Sequence, residues 1–239
     1  MFPRRAVRPC LVLFVFLLTP SAPADEINQD FNRQRLRMVD RQIASRGVGD
    51  SLVLAAMRTV PRHLFVPEKY RGLAYADSPL PIGSGQTISQ PYMVAWMSEL
   101  LDVGPGDRVL EVGTGSGYQA AVLAHMGVEV FTIEIVSALI GPARKILDDL
   151  GYGNVRFRLG DGYLGWTEQA PFDGIIVTCA PDHIPDPLKR QLADGGRMII
   201  PVGPQGKYQT LMRLVRDGDD YREDFLGGVA FVPLTRKVR

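Results

Sequence analysis

Cysteine and histidine are scarce in this chain. Its 239 residues include two cysteines, Cys10 and Cys179, and three scattered histidines. Such a set provides no group of ligands at metal spacing, so the sequence predicts neither a structural nor a catalytic metal. If the segment that contains Cys10 is removed, no internal disulfide can form. An apolar core must then stabilise the fold, and 46% of the residues are apolar.

A dominant charge is also missing. The 27 Lys and Arg residues nearly balance the 26 Asp and Glu residues, which leaves a formal net charge of +1. Proteins that bind nucleic acid or acidic membranes usually carry an excess of basic residues. The sequence therefore predicts no nucleic-acid partner and no stable membrane association, and it does not determine the oligomeric state.

Long apolar runs are absent except for LVLFVFLL at 11–18. This run is shorter than a typical membrane-spanning helix. Three arginines precede this run, and Ala22-Pro23-Ala24 follows it. A positive start, a short apolar run and an A-x-A end are typical of a secretory signal. We interpret residues 1–24 as a signal-peptide-like segment and residues 25–239 as a single domain.

Residues 31–101 carry helical and loop signals. Helical spacing of apolar residues predicts a helix over 31–46, and Asp50 is placed to cap a second helix that ends before Pro61. Residues 61–90 are rich in Pro and Gly, which indicates an ordered and functional loop.

Residues 105–239 alternate short apolar runs with helical segments, which predicts an α/β fold with a mostly parallel sheet and helices on both faces. The predicted helices lie at 117–126, 137–150 and 185–192. The predicted strands are RVLEVG at 108–113, EVFTIE at 129–134, VRFRLG at 155–160, FDGIIVTC at 172–179, RMIIPVG at 197–203, QTLMRLV at 209–215 and GGVAFVPL at 227–234.

The run VLEVGTGSGYQAAVLA at 109–124 has the pattern of a strand, a glycine turn and a helix. Gly113, Gly115 and Gly117 allow the backbone to turn tightly and to approach a ligand closely. Glu134 ends the next strand, where a carboxylate meets ribose hydroxyls in such folds. A solvated strand end is the alternative interpretation of Glu134.

The spacing of these glycines is G-x-G-x-G, whereas the dinucleotide fingerprint requires a glycine at the position of Tyr118. The acidic Glu111 before the loop would repel phosphates but would accept an ammonium group. S-adenosylmethionine has that ammonium group and no pyrophosphate, so we predict it as the cofactor. Alternatively, Glu111 ties down amides of the loop.

The segment LGDGYLGW at 159–166 places Asp161 after a predicted strand. At that edge of a parallel sheet Asp161 could accept a hydrogen bond from an adenine amino group, and Gly162 would leave room for the ring. A simple turn before glycine is the alternative for Asp161.

A short polar run precedes Pro91 in GQTISQPYMVAWM at 85–97. Pro91 suits the first position of a helix. Thr87 and Ser89 would then lie near the free N–H groups of a helix start, which favour an anion. Ser89 could equally be an ordinary helix cap.

Taken in order, these motifs resemble the protein-L-isoaspartate O-methyltransferase family over nearly all of residues 36–239. The resemblance rests on AYADSPLPIGSGQTISQPYMVAWMSELL, the glycine loop, the GDG segment, FDGIIVTCAP, GGRMIIPVG, RHLFVP at 62–67 and the closing FVPLT. It implies a Rossmann-like class I methyltransferase that uses S-adenosylmethionine to esterify the free carboxylate of isoaspartyl residues in damaged proteins and peptides.

By this resemblance Ser89 is the active-site serine, and Thr87, Ile88 and Val232 line the substrate site. Thr114 joins the glycines of the loop in cofactor binding. Because a carboxylate with a pKa near ~4 is already an anion, the reaction needs no catalytic His or Lys. One departure is Ile140-Gly141-Pro142, which interrupts the predicted helix over 137–150. Pro142 is tolerable if the helix begins there, with Ser137 in a preceding turn, so the start of this helix stays open.

Two alternatives stay open. Another class I methyltransferase, acting on a different carboxylate or a small molecule, would share the cofactor half, although the chain lacks the Pro-Pro element of amino-methylating DNA enzymes. Cys179 is expected to be a small core residue rather than the nucleophile of a cytosine-methylating enzyme. A non-catalytic binder of altered peptides is the second alternative.

The cellular location is ambiguous. Supply of S-adenosylmethionine favours the cytoplasm, with translation from Met38 as one route, whereas residues 1–24 favour export.

Overall fold

The computed structural model describes residues 24–204 and 206–237. Residues 1–23 of the signal-like segment lie outside the described part, so that prediction is untested. Within the described ranges, no helix has both the length and the apolar character needed to cross a membrane.

The N-terminal region begins with α1 (Ala24–Met38), which continues through a π turn (Val39–Ile43) and a 3₁₀ turn (Ala44–Arg46). The predicted helix over 31–46 is therefore present but starts earlier. Helix α2 (Ser51–Thr59) is capped by Asp50, whose side chain accepts a hydrogen bond from the Val53 amide at 2.8 Å. The cap and the end of α2 are as predicted.

Residues 61–90 are not only a loop. They form 3₁₀ turns at Arg62–Phe65 and Glu68–Leu73, followed by an antiparallel hairpin of β1 (Leu80–Gly83) and β2 (Gln86–Ile88). The loop prediction was wrong for the hairpin, because the strands are too short to show a period-2 pattern. The turn residues Ser84 and Gly85 have positive φ angles of 51° and 72°, which suit a tight hairpin.

A seven-stranded sheet forms the centre of the molecule in the order β5-β4-β3-β6-β7-β8-β9. The strands β3 to β7 are parallel, and β8 and β9 are antiparallel to their neighbours. Their bounds are β3 Arg108–Val112, β4 Glu129–Glu134, β5 Arg156–Leu159, β6 Phe172–Val177, β7 Leu192–Val202, β8 Gln209–Asp217 and β9 Asp220–Val229.

The last strand differs from the prediction over 227–234. Strand β9 starts at Asp220 and pairs with β8 up to Val229, and the residues after it form a separate C-terminal segment. This segment makes an isolated bridge between Ala180 and Pro233. Apolar character therefore indicated a strand where the chain has in fact left the sheet.

Four helices accompany the sheet: α3 (Pro91–Leu101), α4 (Tyr118–His125), α5 (Ser137–Asp149) and the short α6 (Asp186–Lys189). Alternate strand residues face two apolar clusters, one against α2 to α5 and the other against α6 and neighbouring turns. The expectation of helices on both faces is confirmed.

Helix α5 settles the boundary that was left open at Pro142. It begins at Ser137, as in the predicted helix over 137–150, and contains Pro142. Leu139, Ala143 and Leu147 share one buried face of α5, at the i, i+4 and i+8 spacing of a helix. Packing of that face holds the turn before Pro142 in helical form despite the missing N–H of proline.

Strand order reverses between β3 and β6, because the chain builds β4 and β5 on one side of β3 and then returns to the other side. A crevice at the carboxyl ends of the strands is expected at such a point. Gly113 follows β3 there, and Thr178 follows β6.

Candidate active site

Three connected clefts lie at this reversal point. The inner cleft lies beside Gly113, Gly115, Glu134, Gly162 and Val232. The outer cleft is lined by Arg46, Ser89, Tyr92, Trp96, Lys207, Val232 and others. A small connecting cavity is lined by Ile88, Ser89, Glu111, Thr114 and others. Thr87 and Thr178 line all three spaces.

The three glycines of the glycine loop do not all face the inner cleft, because one of them packs against a helix. Gly113, Gly115 and Gly117 all have positive φ angles, of 100°, 52° and 87°. A Cβ on Gly113 would lie 2.5 Å from the Thr178 hydroxyl oxygen, and a Cβ on Gly117 would press on Leu147 at 3.1 Å. At Gly115 the only close atom is Ile82 Cδ1 at 3.4 Å. The three glycines thus have different roles: Gly117 seats α4 against α5, whereas Gly113 and Gly115 line the inner cleft.

Glu134 anchors the loop at the end of β4. Its Oε2 accepts a hydrogen bond from the Gly115 amide, and its Oε1 accepts bonds from the Ile135 and Val136 amides, all at 2.8 Å. The side chain is buried and lines the inner cleft. The interpretation of Glu134 as a solvated strand end is therefore wrong.

Glu111 lies fully buried under the connecting cavity. Its Oε2 accepts a 2.5 Å hydrogen bond from Thr132, whose hydroxyl oxygen is also 2.6 Å from that of Thr114. Burial raises the pKa of Glu111 to about 8, the Thr132 hydrogen bond opposes this rise, and the charge of Glu134 adds to it.

The other oxygen of Glu111, Oε1, is buried and has no hydrogen-bond partner among the described residues. An orphaned buried carboxylate oxygen costs free energy unless a donor reaches it. The loop amide of Gly115 is bound by Glu134, so Glu111 is not the residue that ties it down. A donor such as an ammonium group in the cavity would satisfy Oε1, which fits the predicted cofactor.

Asp161 caps the short 3₁₀ turn Gly162–Leu164. Its Oδ1 accepts a bond from the Tyr163 amide at 3.0 Å, and its Oδ2 accepts one from Arg236 Nε at 3.1 Å. Gly162 lines the inner cleft, and a Cβ there would collide with Val112. Asp161 therefore has the turn role that was its alternative interpretation, next to Gly162 of the cleft lining.

Thr87 and Ile88 end β2, and Ser89 lies between β2 and α3, with Pro91 as the first residue of α3 as predicted. The N-cap is Gln90, and no side chain caps this helix. The capping interpretation of Ser89 is therefore wrong. Ser89 lines the outer cleft and the connecting cavity, where Thr87 and Thr178 also lie.

The outer cleft is built from aromatic and basic side chains. The rings of Tyr92 and Trp96 stack with their centroids 5.8 Å apart, and the guanidinium carbon of Arg46 lies 3.4 Å from the centroid of Tyr92. Val232 separates this cleft from the inner one, and its carbonyl accepts a bond from the Ala180 amide at 2.8 Å.

Sequence reasoning missed Thr132, Thr178 and Arg46. Thr178 Oγ1 donates to the Gly113 carbonyl at 2.7 Å and so links the ends of β3 and β6. The only available signal was a threonine after a strand, which is common. Cys179 is partly exposed and lines the inner cleft, and desolvation raises the pKa of its thiol to about 12, which favours the protonated form.

A family comparison assigns the chain. The family model described as protein-L-isoaspartate(D-aspartate) O-methyltransferase matches residues 33–239. The chain belongs to this family. The resemblance drawn from the motifs is thus confirmed.

Similar proteins support the assignment over most of the chain. Protein-L-isoaspartate O-methyltransferase 2 of Shewanella sediminis is 53% identical over 225 residues, which cover 94% of this chain and 92% of that protein. Protein-L-isoaspartate O-methyltransferase of Methylorubrum extorquens is 58% identical over 206 residues, covering 85% and 89%.

Solved structures agree with the fold. A protein-L-isoaspartate O-methyltransferase superposes with a TM-score of 0.78 at 28% identity, covering 87% of this chain and 67% of that one. A putative member from Plasmodium falciparum, in complex with S-adenosyl-L-homocysteine, has a TM-score of 0.73 at 27% identity, covering 84% and 98%. The predicted Rossmann-like class I methyltransferase fold is confirmed.

Proposed function

We propose that the inner and outer clefts bring a methyl donor and the carboxylate of an isoaspartyl residue together. The chain transfers a methyl group from S-adenosylmethionine to the free carboxylate of L-isoaspartyl residues in proteins and peptides, which initiates their repair. One observation carries the assignment of the clefts. Thr87 and Thr178 line both of them, so molecules bound in the inner and outer clefts meet at these hydroxyls.

In this proposal the cofactor occupies the inner cleft and the connecting cavity, and it supplies a methyl group on a sulfonium. Glu134 accepts hydrogen bonds from ribose hydroxyls, and Glu111 Oε1 accepts one from the ammonium group. Gly113, Thr114 and Gly115 provide the backbone beside it. Asp161 and Gly162 border the adenine end, while Gly117 acts indirectly by seating α4.

The isoaspartyl residue occupies the outer cleft, with its carboxylate towards Ser89. A carboxylate of pKa near ~4 is ionised at neutral pH, so no base is needed to create the nucleophile. The protein must align one oxygen with the methyl group and exclude water. The Ser89 hydroxyl donates to the other oxygen, and Thr87, Ile88 and Val232 hold the surrounding backbone.

The role of Glu111 follows from its burial. Ionised Glu111 is costly in the free protein, because burial raises its pKa to about 8. A cationic group beside Oε1 would offset that cost. The site is therefore selective for a cofactor with a positive charge at this end, and it disfavours phosphate-bearing nucleotides.

The decisive experiment uses the full chain, labelled S-adenosylmethionine and two peptides that differ only in having isoaspartate or aspartate. We expect base-labile label on the isoaspartyl peptide alone. Equal labelling of both peptides would point to another carboxylate methyltransferase. Binding of cofactor without labelling of either would favour the non-catalytic binder.

We further propose that residues 31–101 form the substrate region and residues 105–239 the cofactor-binding core, and that catalysis takes place in the cytoplasm. The support is chemical: the cofactor is made there, and Cys179 alone cannot form an internal disulfide. Cell fractionation with mass spectrometry of the N-terminus tests the location. A predominant exported species that starts at Asp25 would contradict it.

A further inference from the structure

The outer cleft has a one-sided charge. Among the described residues that line it, Arg46 and Lys207 are the only ones with ionised side chains, and none of these described residues contributes a carboxylate. The two residues come from distant parts of the chain. Arg46 is the last residue of the 3₁₀ turn that precedes α2, and Lys207 lies between β7 and β8. A cleft with this lining attracts anions beyond the single carboxylate that the reaction uses.

Arg46 is held in place from two sides. Its Nη1 donates to Asp77 Oδ2 at 2.8 Å, and its guanidinium group stacks on Tyr92, which in turn stacks on Trp96. Among the described residues this is the only hydrogen bond that the guanidinium donates. Arginine has five N–H donors, so the group keeps donors for a further acceptor even though Asp77 offsets part of its charge.

Lys207 is the simpler of the two cations. Its side chain is exposed, and within the described part of the chain no hydrogen bond or ion pair involves its ammonium group. Nothing there neutralises its charge. Substitution of Lys207 therefore removes one positive charge without leaving a carboxylate unpaired.

We propose that Arg46 and Lys207 select isoaspartyl sites that have acidic neighbours. This inference rests on the proposed function, because it requires the isoaspartyl segment to lie in the outer cleft. Interactions between exposed charges are modest, and each cation should favour an acidic over a neutral neighbour by about 1.5- to 5-fold. The preference should appear in KM, since these groups lie beside the flanking residues and not at the reacting atoms.

The test compares isoaspartyl peptides that carry Glu or Gln on each side of the isoaspartyl residue. We expect the ratio of kcat/KM for the Glu peptide over the Gln peptide to be about 2 to 20 at low salt. It should approach 1 as ionic strength rises from about 0.01 M to about 1 M, because the screening length falls from about 30 to about 3 Å.

Two variants locate the effect. Lys207→Gln should lower the ratio, and Arg46→Gln combined with Lys207→Gln should bring it to about 1 or below, with affinity for S-adenosylhomocysteine, which binds in the inner cleft, as the check of a folded protein. The matched control is Arg58→Gln. Arg58 pairs with Asp40 at 3.0 Å and is as exposed as Arg46, at 41% against 43%, but does not line the outer cleft.

The outcomes are distinguishable from failure of the proposed function. No methylation of either isoaspartyl peptide would overturn the function itself. Methylation of both with a ratio of 1 or less in the wild type would overturn only the charge selection. A wild-type ratio above 1 that is unchanged in both Lys207→Gln and the double variant would also overturn it.

Discussion

The inner and outer clefts are built in different ways. The inner cleft is made mainly of backbone and short side chains at the ends of β3, β4 and β6, such as Gly113, Glu134 and Thr178. The outer cleft is made of large side chains from elements outside the parallel strands, such as Arg46, Tyr92 and Trp96.

This difference separates two tasks. Strand ends in a parallel sheet are rigid, because both faces of the sheet are packed. Such a scaffold suits the cofactor, because the same molecule binds in every turnover. Damaged proteins present varied neighbours, and adaptable aromatic and basic side chains suit them better. Substitutions in the inner cleft should therefore act on cofactor binding, and those in the outer cleft on substrate.

The largest effect is expected from Gly115→Val. The side chain would enter the inner cleft, since the only close protein atom is Ile82 Cδ1, and binding of S-adenosylhomocysteine measured by calorimetry should be lost. The control Gly151→Val also has a positive φ, of 83°, but open space around it. It should show the same backbone strain, about 1 to 2 kcal/mol, with unchanged binding. Unchanged affinity in Gly115→Val would mean that the inner cleft is not the cofactor site.

Glu111→Gln should change how stability depends on pH. The folded pKa of Glu111 is raised from 4.5 to about 8, so the folded protein binds more protons than the unfolded chain between these values. Stability from this group is then full below pH 4.5 and is lost as pH rises to 8.

Urea unfolding of the wild type and of Glu111→Gln at several pH values checks the direction of this pH dependence of stability. The two should be similar near pH 5, and the variant should gain on the order of 3 kcal/mol relative to wild type near pH 8. A constant difference across this range would show that Glu111 does not titrate there.

Ser89→Ala tests whether a residue of the outer cleft affects turnover without affecting cofactor binding. Loss of a hydrogen bond to a charged oxygen costs about 1.5 to 3 kcal/mol, so turnover should fall roughly 10- to 150-fold. Affinity for S-adenosylhomocysteine should not change, and Ser89→Thr, which keeps a hydroxyl, should retain more activity. Full activity of Ser89→Ala in a peptide methylation assay would remove Ser89 from the mechanism.

The smallest effect is expected from Arg236→Gln. Arg236 pairs with Asp161 and lies 4.1 Å from the Tyr163 ring centroid, which holds the C-terminal segment beside the inner cleft. An exposed pair is worth about 0.2 to 1 kcal/mol, so affinity for S-adenosylhomocysteine should weaken about 1.4- to 5-fold.

The control for this prediction is Arg33→Gln. Arg33 pairs with Asp30 at 3.2 Å on the surface of α1 and lines none of the three clefts. It should leave binding unchanged. Equal weakening in the two variants would show that the C-terminal segment does not depend on Arg236.

Local sequence patterns were sufficient to predict the family, the parallel sheet and the glycine loop. These features depend on local patterns: apolar runs of strand length, glycines at positions of positive φ and a proline at the start of α3. Local capping was also readable at Asp50, because the cap and the amide it binds are three residues apart.

Which polar residues contact one another at the site depends on tertiary packing. Thr132 and Glu111 meet because β3 and β4 pair in register, and Thr178 reaches the glycine loop because β6 lies on the other side of β3. The helical start of α5 around Pro142 and the exit of the chain from β9 were likewise set by packing. Such contacts join residues far apart in sequence, and no local pattern records the free energy of packing that brings them together.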